Sequence, residues 1–180
     1  NKGACVLHML RYTIGDSLFF DVLKSYATDA VNFKYGTVVT ADFVTKVSQV
    51  AGQDMSWSFT CVYQPNHPVY GNTYNITNLG GGQWQVAFKA RQTQTNAAFF
   101  PMPLTLRISF STGSDTTFRV MNNVNDQVFA FRFGRQPTTL TFDPNNDIVI
   151  KQGSTTVGST LGTPTLASPA TGATNQPLTL

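Results

Sequence analysis

Apolar residues recur at intervals of three and four over the first third of the chain, and this spacing predicts helices. The first helix is predicted to run to Ile14. Asp16 is a good N-cap for a second helix, because its carboxylate can accept a hydrogen bond from a free backbone N–H. A third helix is predicted between Thr40, as N-cap, and Gly52, as the stop. The side chains expected to face inward are Cys5, Val6, Met9, Leu10, Ile14, Leu18, Phe19, Val22, Leu23, Tyr26, Phe43, Val44 and Val47.

A fourth helix is predicted from Asp54 until Pro65 and Pro68 end it, with Met55, Trp57, Phe59 and Val62 inward. The four helices form an all-α unit, residues 1–67, that is too small to cover both of its own faces. No capping residue precedes the apolar stripe of the first helix. We therefore expect the helices to continue a larger domain.

From residue 68 the period of the apolar residues falls to two, which predicts β-strands. Gly80-Gly81-Gly82 is predicted to join the first two strands as a hairpin. The predicted strands are 74–79, 83–92, 104–110, 116–121, 127–133, 138–142 and 148–151. Short strands about ten residues apart indicate an antiparallel β-sandwich over residues 68–158. Its expected core is Trp84, Phe88, Leu106, Ile108, Val120, Phe129, Phe131 and Leu140.

The predicted fold class is thus α+β in two units, a small helical bundle followed by an antiparallel β-sandwich. Residues 159–180 are rich in Thr, Pro, Ala and Gly, which is typical of an extended linker. The last six residues, from Asn175, are predicted to begin a further domain.

Composition narrows the possible functions. Only 12% of the residues are charged, and 12 basic against 9 acidic residues give a net charge of +3 without any cluster. A nucleic-acid interface needs a basic stripe, so we expect no nucleic-acid partner. No apolar run reaches the roughly 18 residues of a membrane span. Cys5 and Cys61 are expected to be small buried hydrophobes, and whether they pair stays open.

Residues that could carry chemistry are few and scattered. His8 and His67 are far apart in sequence, and no H-E-x-x-H motif accompanies them, so no metal site is predicted. Gly80-Gly81-Gly82 fits a hairpin better than a phosphate site, and Asp143-Pro144 fits a turn better than a catalytic group. Asn75-Ile76-Thr77 matches a glycosylation acceptor, a frequent chance match.

Five aromatic residues near predicted loops leave a binding function open. Tyr63, Tyr70, Tyr74, Phe99 and Phe100 could stack on a glycan or a peptide, as in a stand-alone binding module. Packing between the helices and the sandwich is the more economical account of these side chains.

The opening of the chain resembles a known family. Asn1-Lys2-Gly3-Ala4, then Val6-Leu7-His8-Met9-Leu10-Arg11 and Ile14-Gly15-Asp16, resemble a segment of the aminopeptidase N-like zinc metallopeptidases, the gluzincins. The resemblance continues at Phe19-Phe20, Tyr26, Thr40–Phe43, Gly52–Met55, Trp57, Gln64–Tyr70, Gln92–Gln94, Phe100–Leu104 and Phe142–Pro144. It departs at Trp57-Ser58-Phe59, where the family has a pair of aromatics and a later tryptophan.

This resemblance implies that the helices are the C-terminal part of a thermolysin-like catalytic domain and that the sandwich is the domain after it. In the family, the zinc ligands, the glutamate that activates water and the oxyanion tyrosine would all precede Asn1. No catalytic, cofactor-binding or metal residue carries over, so the chain as it stands is not expected to be an enzyme or to hold a cofactor. Zinc is expected in the parent.

The resemblance therefore implies a non-catalytic part of a secreted bacterial zinc aminopeptidase that supports the active-site domain. Its partners would be the rest of the parent peptidase and, for the parent, peptide substrates. The parent is expected to be secreted, periplasmic or at the cell surface. The segment Pro164–Pro169 resembles a linker into fibronectin type III modules. A homologue that kept this scaffold but lost its active site is a third hypothesis.

Overall fold

A computed structural model describes residues 2–29, 36–59, 67–95 and 97–158. Three helices come first, α1 (Lys2–Ile14), α2 (Asp16–Thr28) and α3 (Thr40–Ala51), followed by a short 3-10 helix (Ser56–Phe59). Seven strands follow: β1 (Val69–Gly80), β2 (Gln83–Ala90), β3 (Met102–Phe110), β4 (Thr116–Asn122), β5 (Gln127–Phe133), β6 (Pro137–Phe142) and β7 (Gln152–Val157). The predicted α+β class is confirmed.

The second helix begins one residue earlier than predicted. Gly15 is the N-cap and Asp16 is the first helical residue, without a capping hydrogen bond from a side chain. The Asp16 carboxylate instead accepts two hydrogen bonds from the Arg11 guanidinium, at 2.8 and 2.6 Å. The prediction of Asp16 as N-cap was wrong because the neighbouring cation occupies its carboxylate.

The third helix also shifts its N-cap, from Thr40 to Val39. The Asp42 carboxylate accepts a hydrogen bond from the Val39 N–H at 2.8 Å, and the Asp42 N–H donates to the Val39 carbonyl at 3.1 Å. These two bonds satisfy groups that a helix N-terminus otherwise leaves free. Gly52, in the left-handed conformation with φ of 67°, ends α3 as predicted.

Only the start of the predicted fourth helix lies among the described residues. The helix begins at Ser56, two residues after the predicted start at Asp54, and the Asp54 carboxylate accepts a hydrogen bond from the Ser56 N–H at 2.9 Å. The described part is a 3-10 helix, not an α-helix. The rest of that prediction, with Cys61, Val62 and Pro65, lies outside the described residues, as does the predicted linker 159–180.

The strands form two sheets. One has the order β5-β2-β1-β7 and the other β4-β3-β6. Gly81 and Gly82 connect β1 and β2 as the predicted hairpin. The five strands predicted from residue 83 to residue 142 are confirmed, with small shifts of their ends. One pairing differs from the expected antiparallel pattern, because β7 runs parallel to β1 and makes the first sheet mixed.

The strand predicted at 148–151 was wrong. Ile148 is buried, but it lies in a turn, and the last strand begins at Gln152. Asp143 causes the difference: its carboxylate accepts from the backbone N–H groups of Asp147 and Ile148, which holds this segment in a bend. Ile148 therefore anchors a loop in the core.

The two sheets face each other across an apolar interior, and α1 contacts the outer side of the β4-β3-β6 sheet at Thr105 and Arg119. Inward side chains such as Phe88, Leu104 and Leu106 are almost fully buried. The buried side chains of the helices and of the sandwich belong to one continuous core. None of the described helices combines the length and the apolar character needed to cross a membrane.

Candidate functional site

The two histidines do not form a recognisable reactive centre. His8 is exposed on α1 and lines a cleft of about 440 Å³ with Arg11, Tyr12 and Asp147. His67 is half-buried. Within the described ranges, no group of three or more His, Cys, Asp or Glu side chains is placed to hold a metal ion. The described His, Cys, Asp and Glu side chains therefore do not fit a zinc site.

Asn75 is not placed to carry a glycan. It lies in β1, the residue is only 8% exposed, and its amide oxygen is buried. A glycosylation acceptor must be reachable from solvent. The match at Asn75-Ile76-Thr77 is thus a chance one in this fold.

Asp143 lies in a turn, as predicted, and its carboxylate is buried. It accepts hydrogen bonds from the Asp147 N–H at 2.8 Å, the Ile148 N–H at 3.1 Å and the Lys151 ammonium at 2.5 Å. Its own N–H donates to the Thr105 carbonyl on β3. All of these contacts hold the loop between β6 and β7, so the structure gives Asp143 a structural role.

Most of the aromatic residues considered for binding are in the core. Tyr70, Tyr74 and Phe100 are 2%, 8% and 2% exposed, and Phe99 is half-buried. Buried rings cannot offer a face to a sugar or a peptide, which favours the packing account. Tyr63 lies outside the described residues. Cys5 is a half-buried free thiol. Cys61, with which it could pair, lies outside the described residues.

A network of side-chain amides holds the segment between β2 and β3. The Gln92 amide donates to the Phe100 carbonyl at 2.8 Å and accepts from the Phe100 N–H at 3.0 Å, as a paired strand residue would. Gln94 donates to the Gln92 side chain at 2.8 Å, and Asn125 accepts from the Gln92 N–H at 2.7 Å. Two of the stretches that resemble the peptidase family therefore meet here, at Gln92–Gln94 and Phe100–Leu104.

The most elaborate described contact between the helices and the sandwich centres on Tyr12 of α1. Its hydroxyl shares a hydrogen bond of 2.7 Å with the Thr105 hydroxyl on β3. Arg119 on β4 lies directly opposite Thr105, and its guanidinium sits 4.9 Å from the centre of the Tyr12 ring. Burial raises the pKa of the Tyr12 phenol, although its contacts with Thr105 and Arg119 act in the opposite direction.

Arg119 also binds the end of α1 directly. It donates to the backbone carbonyls of Tyr12 at 2.6 Å and Thr13 at 2.9 Å. Beside these contacts lies a mixed polar and apolar cleft of about 430 Å³, bounded by α1, the 3-10 helix and β3–β4. Trp57 and Met121 are among its lining residues. We call Tyr12, Thr105 and Arg119 the junction residues.

Tyr70 lies behind the junction residues, in the sandwich. Its ring packs against Phe142 with 4.8 Å between the ring centres, and its buried hydroxyl has no hydrogen-bond partner among the described residues. Burial raises the pKa of the Tyr70 phenol, and the nearby Asp143 and Tyr12 raise it further. A buried hydroxyl without a partner is a cost that the surrounding packing must offset.

The opposite side of α1 is uncovered. Gly3, Ala4, Leu7 and His8 are exposed and lie on one face at helical spacing. On α2, the Phe20 ring is 53% exposed, and its centre lies 5.2 Å from the guanidinium of Arg11, which follows Leu7 by one helical turn. We call this the outer helical surface, defined by Gly3, Ala4, Leu7, His8 and Phe20.

Sequence reasoning missed the junction residues. Arg119 occupies an outward position in an alternating strand, and it is exposed in the structure as such positions ordinarily are, so the pattern alone does not mark it as a contact. Two general expectations point to such a contact only indirectly. The helical unit was predicted to pack against a neighbour, and a cation near the C-terminus of a helix interacts favourably with the helix dipole. The packing of the helices on the sandwich determines which Lys or Arg side chain reaches the end of α1.

Comparison with known proteins agrees with the resemblance in the opening residues. Residues 1–61 match the Peptidase family M1 domain, which covers α1, α2, α3 and the 3-10 helix. The search of curated proteins gave no match.

Among solved structures, the chain is similar to Legionella pneumophila aminopeptidase A, crystallised in complex with aspartic acid, with a TM-score of 0.54. The identity is 18%, so this likeness shows the fold alone. It covers 77% of this chain, which extends beyond the helices into the sandwich, but only 15% of the Legionella chain. Residues 1–61 are therefore similar to the Peptidase family M1 domain, and the fold of the chain is similar to part of the Legionella structure.

Proposed function

We propose that this chain is the helical C-terminal part of the catalytic domain, plus the following β-sandwich, of a zinc aminopeptidase. Its own role is structural, as support for the active-site domain. The main support for the proposal is that residues 1–61 match the Peptidase family M1 domain. These residues form the helices whose outer helical surface is exposed. The fold shared with the Legionella enzyme supports it.

The outer helical surface is proposed to face the rest of the peptidase. Gly3 has no side chain and Ala4 has only a methyl group, so another element can approach the start of α1 closely. Leu7 and Phe20 add apolar area that is 37% and 53% exposed. Burial of such area against a neighbour is favourable by roughly 25 cal/mol per Å². The junction residues hold the other side of α1.

In the parent, zinc would act as a Lewis acid and would lower the pKa of a bound water so that it can attack the N-terminal peptide bond. No residue of this chain is assigned to that chemistry. We propose further that the parent is exported by a bacterium; the low charged content and the Thr-, Asn- and Gly-rich composition support this. Fractionation of cells that express the full-length protein with its own leader tests the export proposal, and retention in the cytoplasm would refute it.

The main test compares the full-length protein with the 180-residue chain on a fluorogenic aminoacyl substrate. We expect turnover by the full-length protein that a chelator removes and zinc restores, and no turnover by the isolated chain. Zinc-dependent turnover by the isolated chain, or none by the full-length protein, would refute the proposal.

The proposed contact surface has its own test, with Leu79 as the matched control. Leu7 and Leu79 are both exposed leucines, but Leu79 lies at the hairpin end of β1. In the full-length protein, Leu7→Asp should lower soluble yield and specific activity several-fold, because it would bury a charge. Leu79→Asp should leave both unchanged. Equal effects of the two variants would rule out this surface.

A further inference from the structure

Helix α1 ends with backbone carbonyls that its own hydrogen bonds do not use. The Arg11 carbonyl accepts from the Gly15 N–H at 2.8 Å, which closes the last turn. The next two carbonyls, of Tyr12 and Thr13, accept from one guanidinium nitrogen, Arg119 Nη2. Free carbonyls at a helix C-terminus need partners, and a cation there also interacts favourably with the helix dipole.

Arg119 reaches α1 from a distant part of the chain. It lies in β4, outside the residues that match the M1 domain, whereas α1 lies inside them. Three contacts converge on this point: two charge-assisted hydrogen bonds to carbonyls, and the guanidinium against the Tyr12 ring. The Tyr12–Thr105 hydrogen bond adds a fourth, on the neighbouring strand. A planar guanidinium can make all of its contacts at once, which an ammonium cannot.

We propose that Arg119 is the residue through which the β-sandwich fixes the position of helix α1, and that it is thereby a positioning residue for the peptidase domain. The first part concerns the chain itself. The second part rests on the proposed function. Arg119 is expected to act through α1, without contact with substrate.

The first experiment uses the two tryptophans of the chain as separate probes. Trp57 lies in the 3-10 helix and Trp84 in β2, so Trp84→Phe and Trp57→Phe leave one reporter in each unit. Urea unfolding of the 180-residue chain is followed by the fluorescence of each variant. When Arg119 is unaltered, the Trp57 and Trp84 signals should change at the same urea concentration, because one continuous core joins the helices and the sandwich.

Arg119→Met should separate the two transitions. The Trp57 signal should change at lower urea concentration while the Trp84 signal stays in place. Arg107→Met is the matched control, since Arg107 lies on the same face of the same sheet and its guanidinium pairs with Asp115, 3.7 Å away. Transitions that still coincide in Arg119→Met, whether shifted or not, would overturn the proposal. The same separation in Arg107→Met would also overturn it.

The second experiment measures aminopeptidase kinetics of the full-length protein, well below its unfolding transition. Arg119→Met should lower kcat about tenfold while KM changes by less than about twofold, because a displaced helix misplaces groups in the domain without removing a substrate contact. Arg119→Lys should recover part of kcat, since its ammonium can still donate to the carbonyls. Separated transitions with unchanged kcat would overturn the positioning role. Separated transitions with no activity in the unaltered full-length protein would refute the proposed function and leave the Arg119 contact standing.

Discussion

In the sandwich, Phe88, Leu104 and Leu106 lie between two sheets that belong to the same chain, and none of them is exposed. In the helices, Leu7 and Phe20 stay at the surface while Met9 and Leu10, on the other side of α1, are buried. A sandwich closes its interior by itself because each sheet covers the other. Three short helices cover only one side of each other. Among the described residues, only the side of the helices that faces the sandwich is covered, and the proposed contact with the rest of a peptidase would account for the other side.

The largest contrast between the two regions should appear when leucines are truncated. Leu106→Ala should lower the free energy of unfolding by about 3 kcal/mol, because it leaves a cavity between the sheets. Leu7→Ala should change it by less than about 0.5 kcal/mol in the 180-residue chain, as is usual for surface sites. Urea denaturation measures both. A cost for Leu7→Ala close to that of Leu106→Ala would mean that the outer helical surface is already covered.

The edge of the sandwich depends on one glycine. Gly153 pairs with Tyr70 in the parallel β1–β7 ladder at φ of 101°, and an added Cβ would lie 1.9 Å from the Tyr70 carbonyl oxygen. Gly153→Ala should therefore cost about 2 kcal/mol or more, from strain and from lost pairing. Gly81→Ala is the control, since that glycine also has positive φ but has open space around it. It should cost only about 1 kcal/mol. Equal costs for the two variants would show that β7 contributes little to the sandwich.

Two tyrosines, one in each region, should respond in opposite directions to loss of the hydroxyl. Tyr12→Phe removes a hydrogen bond to Thr105 and should cost about 1 kcal/mol. Tyr70→Phe removes a buried hydroxyl without a described partner, and should be neutral or slightly stabilising. Thermal unfolding of the two variants checks this. A clear loss of stability in Tyr70→Phe would show that this hydroxyl is hydrogen-bonded in solution.

The smallest predicted effect is a loss of stability at alkaline pH. Burial raises the pKa of the Tyr70 phenol above its ordinary value of 10.0, with Asp143 and Tyr12 as further causes. The unfolded chain releases this proton more readily than the folded chain, so stability should fall as pH rises past about 10. Tyr70→Phe should make the fall shallower above about pH 10 in urea titrations. An unchanged slope would show that Tyr70 titrates normally.

The local patterns of the sequence were enough for most of the fold. The spacing of Val6, Met9 and Leu10 predicted α1, and the alternation from Trp84 to Ala90 predicted β2. Gly52 was correctly predicted as the end of α3. These features depend on periodicity and on the backbone freedom of glycine, which a sequence displays directly. For the candidate site, the opening residues identified the family to which residues 1–61 match.

Only the packed structure decided the rest. Asp16 pairs with Arg11 instead of capping a helix, Asn75 is buried in a central strand, and Arg119 binds the end of α1 from 106 residues away. The polar strand β7 shows no apolar alternation and forms only because β1 offers it an edge. In each case a polar group could form hydrogen bonds with several different partners. The sequence determines which donors and acceptors exist. Tertiary packing determines which of them come within hydrogen-bond distance of each other.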